Sequence, residues 1–379
     1  MPEGLVIHTS VDQTVRALCR SLLESGRVKG VLALGRNGET NTGGGVAYSL
    51  FTDPDAFCLD GHAQPLMPLM PANAGRLLSR LTLKGPPNEP IAAVVKPCEI
   101  RAFIELVKFK QGSLENILLI SSTCSGVYPL EADLNGDLKD RLPGYWEAVR
   151  AGKQVDGARP SCRACTQFVP ENADVTIALL GEADLDAQCT LFLNTEKGRW
   201  LVDEIGNLEA ESLPIKLETK TFQHIRDQRE DCREELFAAV EVGQAGLIHT
   251  FGRCINCHAC MTVCPICYCH LCYFDSQVSE RPIDFYESEM EKKGATRVPA
   301  DTLFFQLGRL AHMGVSCVGC GMCSDVCPAD IPISMIFSKV GASVQALLDY
   351  QPGKDVTDEI PLKTFEVDEF ARIGQLEAK

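Results

Sequence analysis

Apolar positions in the first part of the chain alternate between the helical and the extended period. Val15, Leu18 and Leu22 recur at helical spacing, and the unbroken apolar run GVLAL follows them. The same succession returns in AGRLLSRLTLKG followed by IAAVV, and in EIRAFIELVKF followed by NILLIS. Helices that alternate with buried strands predict an α/β domain with a mixed sheet and flanking helices. We expect this domain to cover residues 1–215.

The pattern changes near residue 216. The segment TFQHIRDQREDCREELFAAVEV is long, charged and helical in period, which predicts a helical connector over residues 216–245. Farther on, TLFFQLGRLAHMG and ISMIFSKVGASVQALLDY are also helical in period and flank a cysteine motif. We therefore expect an all-α domain over residues 246–350 and an acidic C-terminal tail over residues 351–379.

Cysteine is the anomaly in the composition. Of the 19 cysteines, eleven lie between Cys254 and Cys327. A secreted disulfide scaffold would be short and would begin with a signal peptide, whereas this chain has 379 residues and begins MPEGLVIHTSVDQ. Intracellular proteins rich in cysteine usually bind metal, so we expect a cytoplasmic metalloprotein. No apolar run approaches the roughly 20 residues that span a bilayer, so we expect no membrane span.

The charge balance restricts the possible partners. The net charge is −15 and the isoelectric point is near 5.0. A general nucleic-acid binder would present a basic face, so we expect no nucleic-acid partner. Solubility is the simplest reason for the acidity, and an acidic face that docks partner subunits is the alternative.

Two cysteine runs share one spacing, C-x₂-C-x₂-C-x₃-C-P, which is typical of bacterial ferredoxins. In two-cluster ferredoxins the first three thiolates of a run hold one cubane cluster, and the fourth ligates the other cluster. A structural zinc site would instead pair two C-x₂-C units across a longer loop. The spacing therefore predicts two 4Fe–4S clusters: cluster 1 on Cys254, Cys257, Cys260 and Cys327, and cluster 2 on Cys317, Cys320, Cys323 and Cys264.

A long insert of helical character separates the two runs. This arrangement resembles the α-helical ferredoxin domains in electron-transfer subunits of respiratory and heterodisulfide-type enzymes. Three further cysteines, Cys267, Cys269 and Cys272, follow the first run in PICYCHLC. They form either a cysteine-rich loop without a cluster or an additional metal site, and the sequence leaves both open. We expect His258 and His270 to be exposed or to pack near the sulfurs rather than to bind iron.

Four cysteines of the first domain also stand in positions suited to metal binding. Cys98 lies between a strand and a helix, Cys124 follows the next strand, and Cys162 and Cys165 form a C-x₂-C pair. Ligand sites of open α/β folds gather at the carboxyl ends of strands. These four cysteines would suffice for a third cubane, cluster 3. The remaining cysteines of this domain and the connector fit helix or strand patterns as small apolar side chains: Cys19, Cys58, Cys189 and Cys232.

The blocks VVKPCEIRAFIEL, SCRACTQFVPENADVTIALLG and CTLFLNTEKGRWLVDEI resemble the beta subunit family of coenzyme F420 reducing hydrogenase and formate dehydrogenase. The resemblance covers roughly residues 5–215. It implies an oxidoreductase subunit that binds FAD beside a 4Fe–4S cluster and exchanges electrons with coenzyme F420. It also implies partner subunits, either the catalytic subunit of a formate dehydrogenase or hydrogenase, or a subunit like those of heterodisulfide reductase.

The chain departs from that family in the flavin-binding loop. The family usually has a glycine pair before the first helix, whereas this chain has HTSVDQTV from His8 onward. The resemblance makes Ser10 and Gln13 of this loop, and Lys96 beside Cys98, the expected FAD contacts. Two hypotheses follow: a flavoprotein beta subunit that passes electrons between FAD and the clusters, or a flavin-free electron relay and docking subunit without a substrate of its own. No catalytic nucleophile is apparent in either case.

Overall fold

A computed structural model of the protein describes residues 3–36, 45–59, 61–202, 210–213 and 220–361. The strands are β1 (Glu3–Ile7), β2 (Gly30–Arg36), β3 (Val46–Phe51), β4 (Ile91–Val94), β5 (Ile117–Ser122), β6 (Val175–Ile177), β7 (Cys189–Leu193) and β8 (Ala210–Leu213). The helices that accompany them are α1 (Val11–Glu24), α2 (Ala74–Thr82), α3 (Pro97–Lys108), α4 (Glu131–Leu134), α5 (Leu138–Arg150), α6 (Pro160–Arg163) and α7 (Glu196–Val202). We call this part the sheet domain.

In residues 220–361, helices alone make up the regular structure. They are α8 (Lys220–Ala238), α9 (Gly243–Phe251), α10 (Ala259–Val263), α11 (Ile283–Lys293), α12 (Thr302–Met313), α13 (Met322–Asp325) and α14 (Ile333–Leu347), with short 3₁₀ turns between α10 and α11. We call α9 to α14 the helical domain. Among the described residues, no helix has both the length and the apolarity required to cross a bilayer.

The eight strands form one mixed sheet in the order β3-β2-β4-β5-β6-β7-β1-β8. Strands β2, β4, β5 and β6 run parallel to one another, and the remaining pairs are antiparallel. In the register of β4 and β5, Val94 pairs with Ile120. Because parallel neighbours end at the same edge of the sheet, the segments that begin at Lys96 and Thr123 leave that edge side by side.

Alternate residues of the central strands enter two separate cores. Val31, Ala33 and their counterparts pack on one face with α1, where Leu18 is fully buried. Leu32 and Leu119 face the other side, where Phe103 and other residues of α2 and α3 cover them. The period-two pattern of the strands thus produces helical layers on both faces.

The predicted fold class is confirmed: among the described residues, a mixed sheet with flanking helices precedes a helical part. Some boundaries differ from the apolar pattern for local reasons. Helix α1 begins at Val11 rather than Val15, because Ser10 Oγ caps it by accepting the N–H of Gln13 at 3.3 Å. The division of the chain at residues 215, 245 and 350 stays a prediction.

The described part of the C-terminal tail packs against helix α3. Glu105 Oε1 accepts hydrogen bonds from Tyr350 Oη at 2.6 Å and from the N–H of Gly353 at 2.8 Å. Arg101 Nε donates to the carbonyl of Pro352 at 2.9 Å. These bonds join the end of the helical domain to the helix that carries Cys98.

Candidate metal centres

The two cysteine runs fold into loops with the same backbone conformation. Asn256 and Gly319, one residue before the second cysteine of each run, have φ of 56° and 69°. His258 and Gly321, one residue after it, have φ of 58° and 82°. Asn and His adopt the left-handed region more readily than most residues. Such loops turn successive N–H groups toward one side, an arrangement that holds anions at many Fe–S sites.

Three of the four cluster 1 cysteines lie together in the helical domain. Burial raises the pKa of Cys260, and negative charge on Cys254 and Cys327 raises it further. Cys257 occupies the exposed rim of the same loop. The structure therefore brings the fourth cysteine of the second run to the first loop, as the ferredoxin spacing predicts. Ligation of iron by these thiols stays a prediction.

The four cluster 2 cysteines, Cys264, Cys317, Cys320 and Cys323, line a single apolar cavity. Burial raises the pKa of Cys317 to about 11 and that of Cys320 to about 12. Cys264 behaves differently, because a hydrogen bond from the Cys267 thiol lowers its pKa. Thiolates are the form that binds metal, so iron binding must remove protons from the buried thiols.

The cluster 3 cysteines converge at the edge where β4 and β5 end. Burial raises the pKa of Cys98 and raises that of Cys162 to about 11. Cys124 and Cys162 affect the pKa of Cys98, and Cys165 affects those of Cys124 and Cys162, so the four thiols form one electrostatic group. Gly126 sits within it at φ 106°, where an added Cβ would lie 2.9 Å from Cys162 Cβ. Only glycine fits this close approach.

Buried arginines adjoin the three cysteine groups. Arg159, Arg229 and Arg309 each have a buried Nε without a hydrogen-bond partner in the described structure. Arg229 donates to the carbonyls of Cys124 at 2.9 Å and Cys165 at 3.1 Å. A buried cation is costly unless an anion balances it, and thiolate-ligated clusters would supply that negative charge. The residues present therefore fit 4Fe–4S clusters.

Single metal ions are a separate matter. Within the described ranges, no three His, Cys, Asp or Glu side chains converge as they would around one ion. A structural zinc ion needs four ligand atoms at about 2.0–2.3 Å. A cubane cluster binds each thiolate at a different iron atom around a larger core. Its four cysteines therefore need not converge on one point as the ligands of a single ion do.

The groups for clusters 2 and 3 adjoin each other across the boundary between the two domains. Negative charge on Cys320 raises the pKa of Cys98. Cys98, Cys162 and Cys320 all pack against one buried apolar group, Met70, Val127 and Met322. Gly321 permits this approach, because a Cβ there would lie 2.8 Å from Ser161 Oγ. Cysteines of groups 1 and 2 pack together in another core, that of the helical domain, so group 2 adjoins both of the others and the three groups form a row in the order 3, 2, 1.

Two cavities that share Leu66, Met67 and Pro68 lie near the predicted flavin contacts, and only one of the three contacts, Lys96, lines either of them. Lys96 lines the smaller one together with Cys124. Val11 and Asp12, at the start of α1, line the larger one, of about 290 Å³. Ser10 caps α1, and the Gln13 side chain is exposed; neither residue lines these cavities. The structure brings Lys96 and the start of α1 to one region but does not bring these three side chains together.

Glu99 is a site residue that the cysteine spacing does not reveal. Its Oε2 accepts Tyr48 Oη at 2.7 Å and the N–H of Lys96 at 2.8 Å, and its Oε1 accepts the N–H of Ala74 at 2.9 Å. These bonds fix the turn that delivers Cys98. The sequence does carry a signal, because a Glu at the third position of a helix that begins with proline is typical of a capping arrangement.

The extra cysteines Cys267, Cys269 and Cys272 line a cavity of about 320 Å³ between α2 and α12. Cys269 is exposed, and Cys267 Sγ lies 3.5 Å from Met313 Sδ. His270 lines the same cavity, and His258 stacks on Phe305 with ring centroids 4.4 Å apart.

Comparison with known proteins agrees with this arrangement. Residues 137–216 match the family described as the C terminus of the coenzyme F420 hydrogenase/dehydrogenase beta subunit. Residues 250–331 match the 4Fe–4S dicluster domain. These two regions contain Cys162 and Cys165 of cluster 3 and all eight cysteines assigned to clusters 1 and 2.

Two curated relatives match along most of their length. The chain is 26% identical to the F420-dependent formate dehydrogenase subunit beta of Methanocaldococcus jannaschii, over 93% of this chain and 94% of the relative. It is 28% identical to the F420-dependent formate dehydrogenase 1 subunit beta of Methanococcus maripaludis, over 92% of this chain and 91% of the relative.

A solved structure also matches, a chain of the F420-reducing [NiFe] hydrogenase complex from Methanosarcina barkeri. The match has 13% identity and a TM-score of 0.42, and it covers 63% of this chain and 92% of the other. The sequence matches by themselves confirm the predicted resemblance. Over most of its length the chain is similar to beta subunits of F420-dependent formate dehydrogenases, which are oxidoreductase subunits, and residues 250–331 match the 4Fe–4S dicluster domain.

Proposed function

We propose that this chain is the electron-transferring beta subunit of a multi-subunit oxidoreductase of the formate dehydrogenase or hydrogenase type. Three 4Fe–4S clusters on the predicted cysteines would connect a flavin in the sheet domain to partner subunits. One observation carries the proposal: the three cysteine groups form an uninterrupted row. Cys98 and Cys320 pack against the same buried apolar group at one junction. At the other, Arg309 Nη1 lies 3.1 Å from Cys260 Sγ and the side chain also lines the cavity of the cluster 2 cysteines.

The protein would exclude water from this row of clusters and compensate its negative charge. Most of the assigned thiols are buried or half-buried, so the surrounding side chains exclude water from the clusters. Arg229 and Arg309 place positive charge beside groups that become negative when iron binds. Charges interact more strongly in such a low-dielectric interior than in water.

FAD is the proposed partner of cluster 3. When bound, a flavin exchanges a hydride with a two-electron carrier and delivers single electrons to clusters. Lys96 and Cys124 line the same cavity, and the larger cavity at the start of α1 shares three lining residues with it, which supports a flavin in that region. Lys96 would offer a positive charge to the cofactor. The names of the curated relatives support coenzyme F420 as the two-electron carrier.

One observation favours the alternative, a flavin-free relay and docking subunit. Asp12 stands in the first turn of α1 and pairs with Arg16 at 2.7 Å. A carboxylate at a helix N-terminus repels a phosphate, and the loop before α1 lacks the glycines that would admit one closely. Cofactor content separates the two functions.

The partners are proposed by the same reasoning. A formate dehydrogenase or hydrogenase catalytic subunit would exchange electrons with one end of the row, and a heterodisulfide-reductase-like subunit is the other candidate. We propose that the assembly works in the cytoplasm. The net charge of −15 is compatible with docking onto basic partner surfaces.

The test is to purify the protein anaerobically with its partners and to quantify iron, sulfide and flavin on one sample. About twelve iron and one FAD per chain would support the flavoprotein, since each cubane holds four irons. About twelve iron without flavin would support the relay. Far fewer than eight iron would contradict both functions.

A further inference from the structure

Helix α12 presents two polar side chains to the cysteines, and both are buried. Gln306 is 1% exposed and Arg309 is 2% exposed. The helix belongs to the insert between the two cysteine runs. The ferredoxin motifs therefore do not predict that Gln306 and Arg309 lie beside the cysteines. Polar groups this deeply buried are expensive unless they find strong partners.

Both side chains point their donors at sulfur. Arg309 Nη1 lies 3.1 Å from Cys260 Sγ, and its Nη2 donates to the carbonyl of Cys260 at 3.1 Å. Gln306 Nε2 lies 3.5 Å from Cys254 Sγ. Arg309 also lines the cavity that holds the four cluster 2 cysteines. The guanidinium therefore stands between clusters 1 and 2, whereas Gln306 reaches cluster 1 alone.

Arg309 has no carboxylate partner among the described residues. Its Nη1 also donates to the neutral side-chain oxygen of Gln306 at 3.4 Å. The ring faces of Phe305 and Phe337 lie 5.6 Å and 5.0 Å from the guanidinium carbon, measured to the ring centroids. Its buried Nε donates to no described atom. By contrast, Arg159 near cluster 2 is balanced by Asp325. Sulfur is thus the anionic group that the Arg309 charge faces.

We infer that Arg309 and Gln306 raise the reduction potentials of the C-terminal clusters: Arg309 those of clusters 1 and 2, and Gln306 that of cluster 1. The inference rests on the proposed function, because it requires clusters on these cysteines. Both are positioning residues that act through the cluster ligands.

The sign follows from electrostatics. Reduction adds one electron to a cluster that is already negative in its thiolate cage. A buried cation and N–H donors to the sulfurs stabilise the reduced form more than the oxidised form. Losing them therefore shifts the equilibrium toward the oxidised cluster. A tenfold shift in that equilibrium corresponds to about 59 mV for one electron.

The experiment is a redox titration of the anaerobic, cluster-loaded protein, monitored by electron paramagnetic resonance. Four variants are compared with the unaltered chain. Arg309→Gln removes the charge, Arg309→Lys keeps the charge but loses the planar fork, and Gln306→Met removes one donor. His312→Gln is the matched control, because His312 is an exposed residue of the same helix.

We expect Arg309→Gln to lower the reduction potentials of clusters 1 and 2 by at least about 59 mV, a tenfold shift in the one-electron equilibrium. The reduction potential of cluster 3 should not change. Arg309→Lys should lower these potentials less, and Gln306→Met should lower the reduction potential of cluster 1 alone. His312→Gln should change nothing. Should Arg309→Gln fail to assemble, Arg309→Lys and Gln306→Met decide the matter by the same readout.

Unchanged potentials in variants that retain full iron would overturn the inference and leave the proposed function standing. Iron content of the unaltered protein is measured first. A chain without the two C-terminal clusters would overturn the proposed function, and this inference with it.

Discussion

Arg159 Nη2 lies 2.6 Å from Asp325 Oδ2, and the two side chains are only 2% and 5% exposed. Arg159 belongs to the sheet domain, just before Cys162, and also donates to the carbonyl of Met70 at 3.1 Å. Asp325 closes helix α13, just after Cys323, and also accepts the N–H of Leu130 at 3.1 Å. One buried ion pair thus joins the cluster 3 region to the cluster 2 loop.

Removing one partner of this pair should destabilise the junction. Asp325→Ala would leave the Arg159 guanidinium buried without its counter-charge, which typically costs about 3–5 kcal/mol. We expect a lower denaturation midpoint, measured by circular dichroism in urea under anaerobic conditions. Asp186→Ala is the control, because its pair with Arg150 is largely exposed and is worth about 0–1 kcal/mol. Equal effects of the two variants would contradict this interpretation.

Cluster content should respond to single cysteine substitutions. Cys98→Ala should lower the iron content from about twelve to about eight per chain, because one cubane of four irons loses a ligand. Cys320→Ala should reduce the iron of the C-terminal pair and leave any flavin bound. Iron and sulfide assays on anaerobic protein measure both effects. Cys189→Ala, a fully buried strand position outside the three groups, should keep all its iron. An unchanged iron content in Cys98→Ala would rule out the N-terminal cluster.

Glu99 should protect cluster 3 without binding iron. Glu99→Ala leaves three donors without their acceptor, among them the N–H groups of Ala74 and Lys96, and a buried unsatisfied donor costs about 1–3 kcal/mol. The turn before Cys98 should loosen, so that an iron chelator removes one third of the iron faster than in the unaltered protein. Loss of visible absorbance over time measures the rate. Glu115→Ala, an exposed position, serves as control, and identical rates for both variants would refute the role.

Alkaline pH should destabilise the sheet domain through a core thiol. Burial raises the pKa of Cys19 from its ordinary value of 9.0 to about 12. The unfolded chain therefore loses this proton first as the pH rises, and the stability contributed by the neutral thiol, complete below about pH 9, is lost between pH 9 and 12. The loss amounts to about 1.4 kcal/mol per pH unit in that window.

Substitution of Cys19 by alanine provides the measurement. Urea midpoints of Cys19→Ala and of the unaltered chain should be compared at pH 8 and pH 10.5. Cys19→Ala should be less stable at pH 8, because it leaves a small cavity, yet should lose less stability between the two values. Parallel losses in the two proteins would show that other groups dominate the alkaline transition.

Local patterns in the sequence were sufficient for much of the fold. The helical and extended periods of apolar residues predicted the α/β class, because burial on one face dictates those periods. They did not predict β3, whose VAYSLF has only one buried residue at the sheet edge. They also missed β1 and β8, because neither EGLVI nor AESL contains the four consecutive aliphatic residues that marked the predicted strands.

The sequence by itself predicted the cysteine groups of clusters 1 and 2, because the spacing of thiols within a ferredoxin loop is a local property of the chain. Tertiary structure alone decided how those groups are surrounded. Cys98 meets Cys320, Asp325 balances Arg159, and Arg309 faces Cys260, across separations of 49 to 222 residues. Such contacts depend on how distant segments of the chain pack together. A buried charge is stabilised by whichever opposite charge the fold brings next to it, and no local sequence pattern specifies that partner.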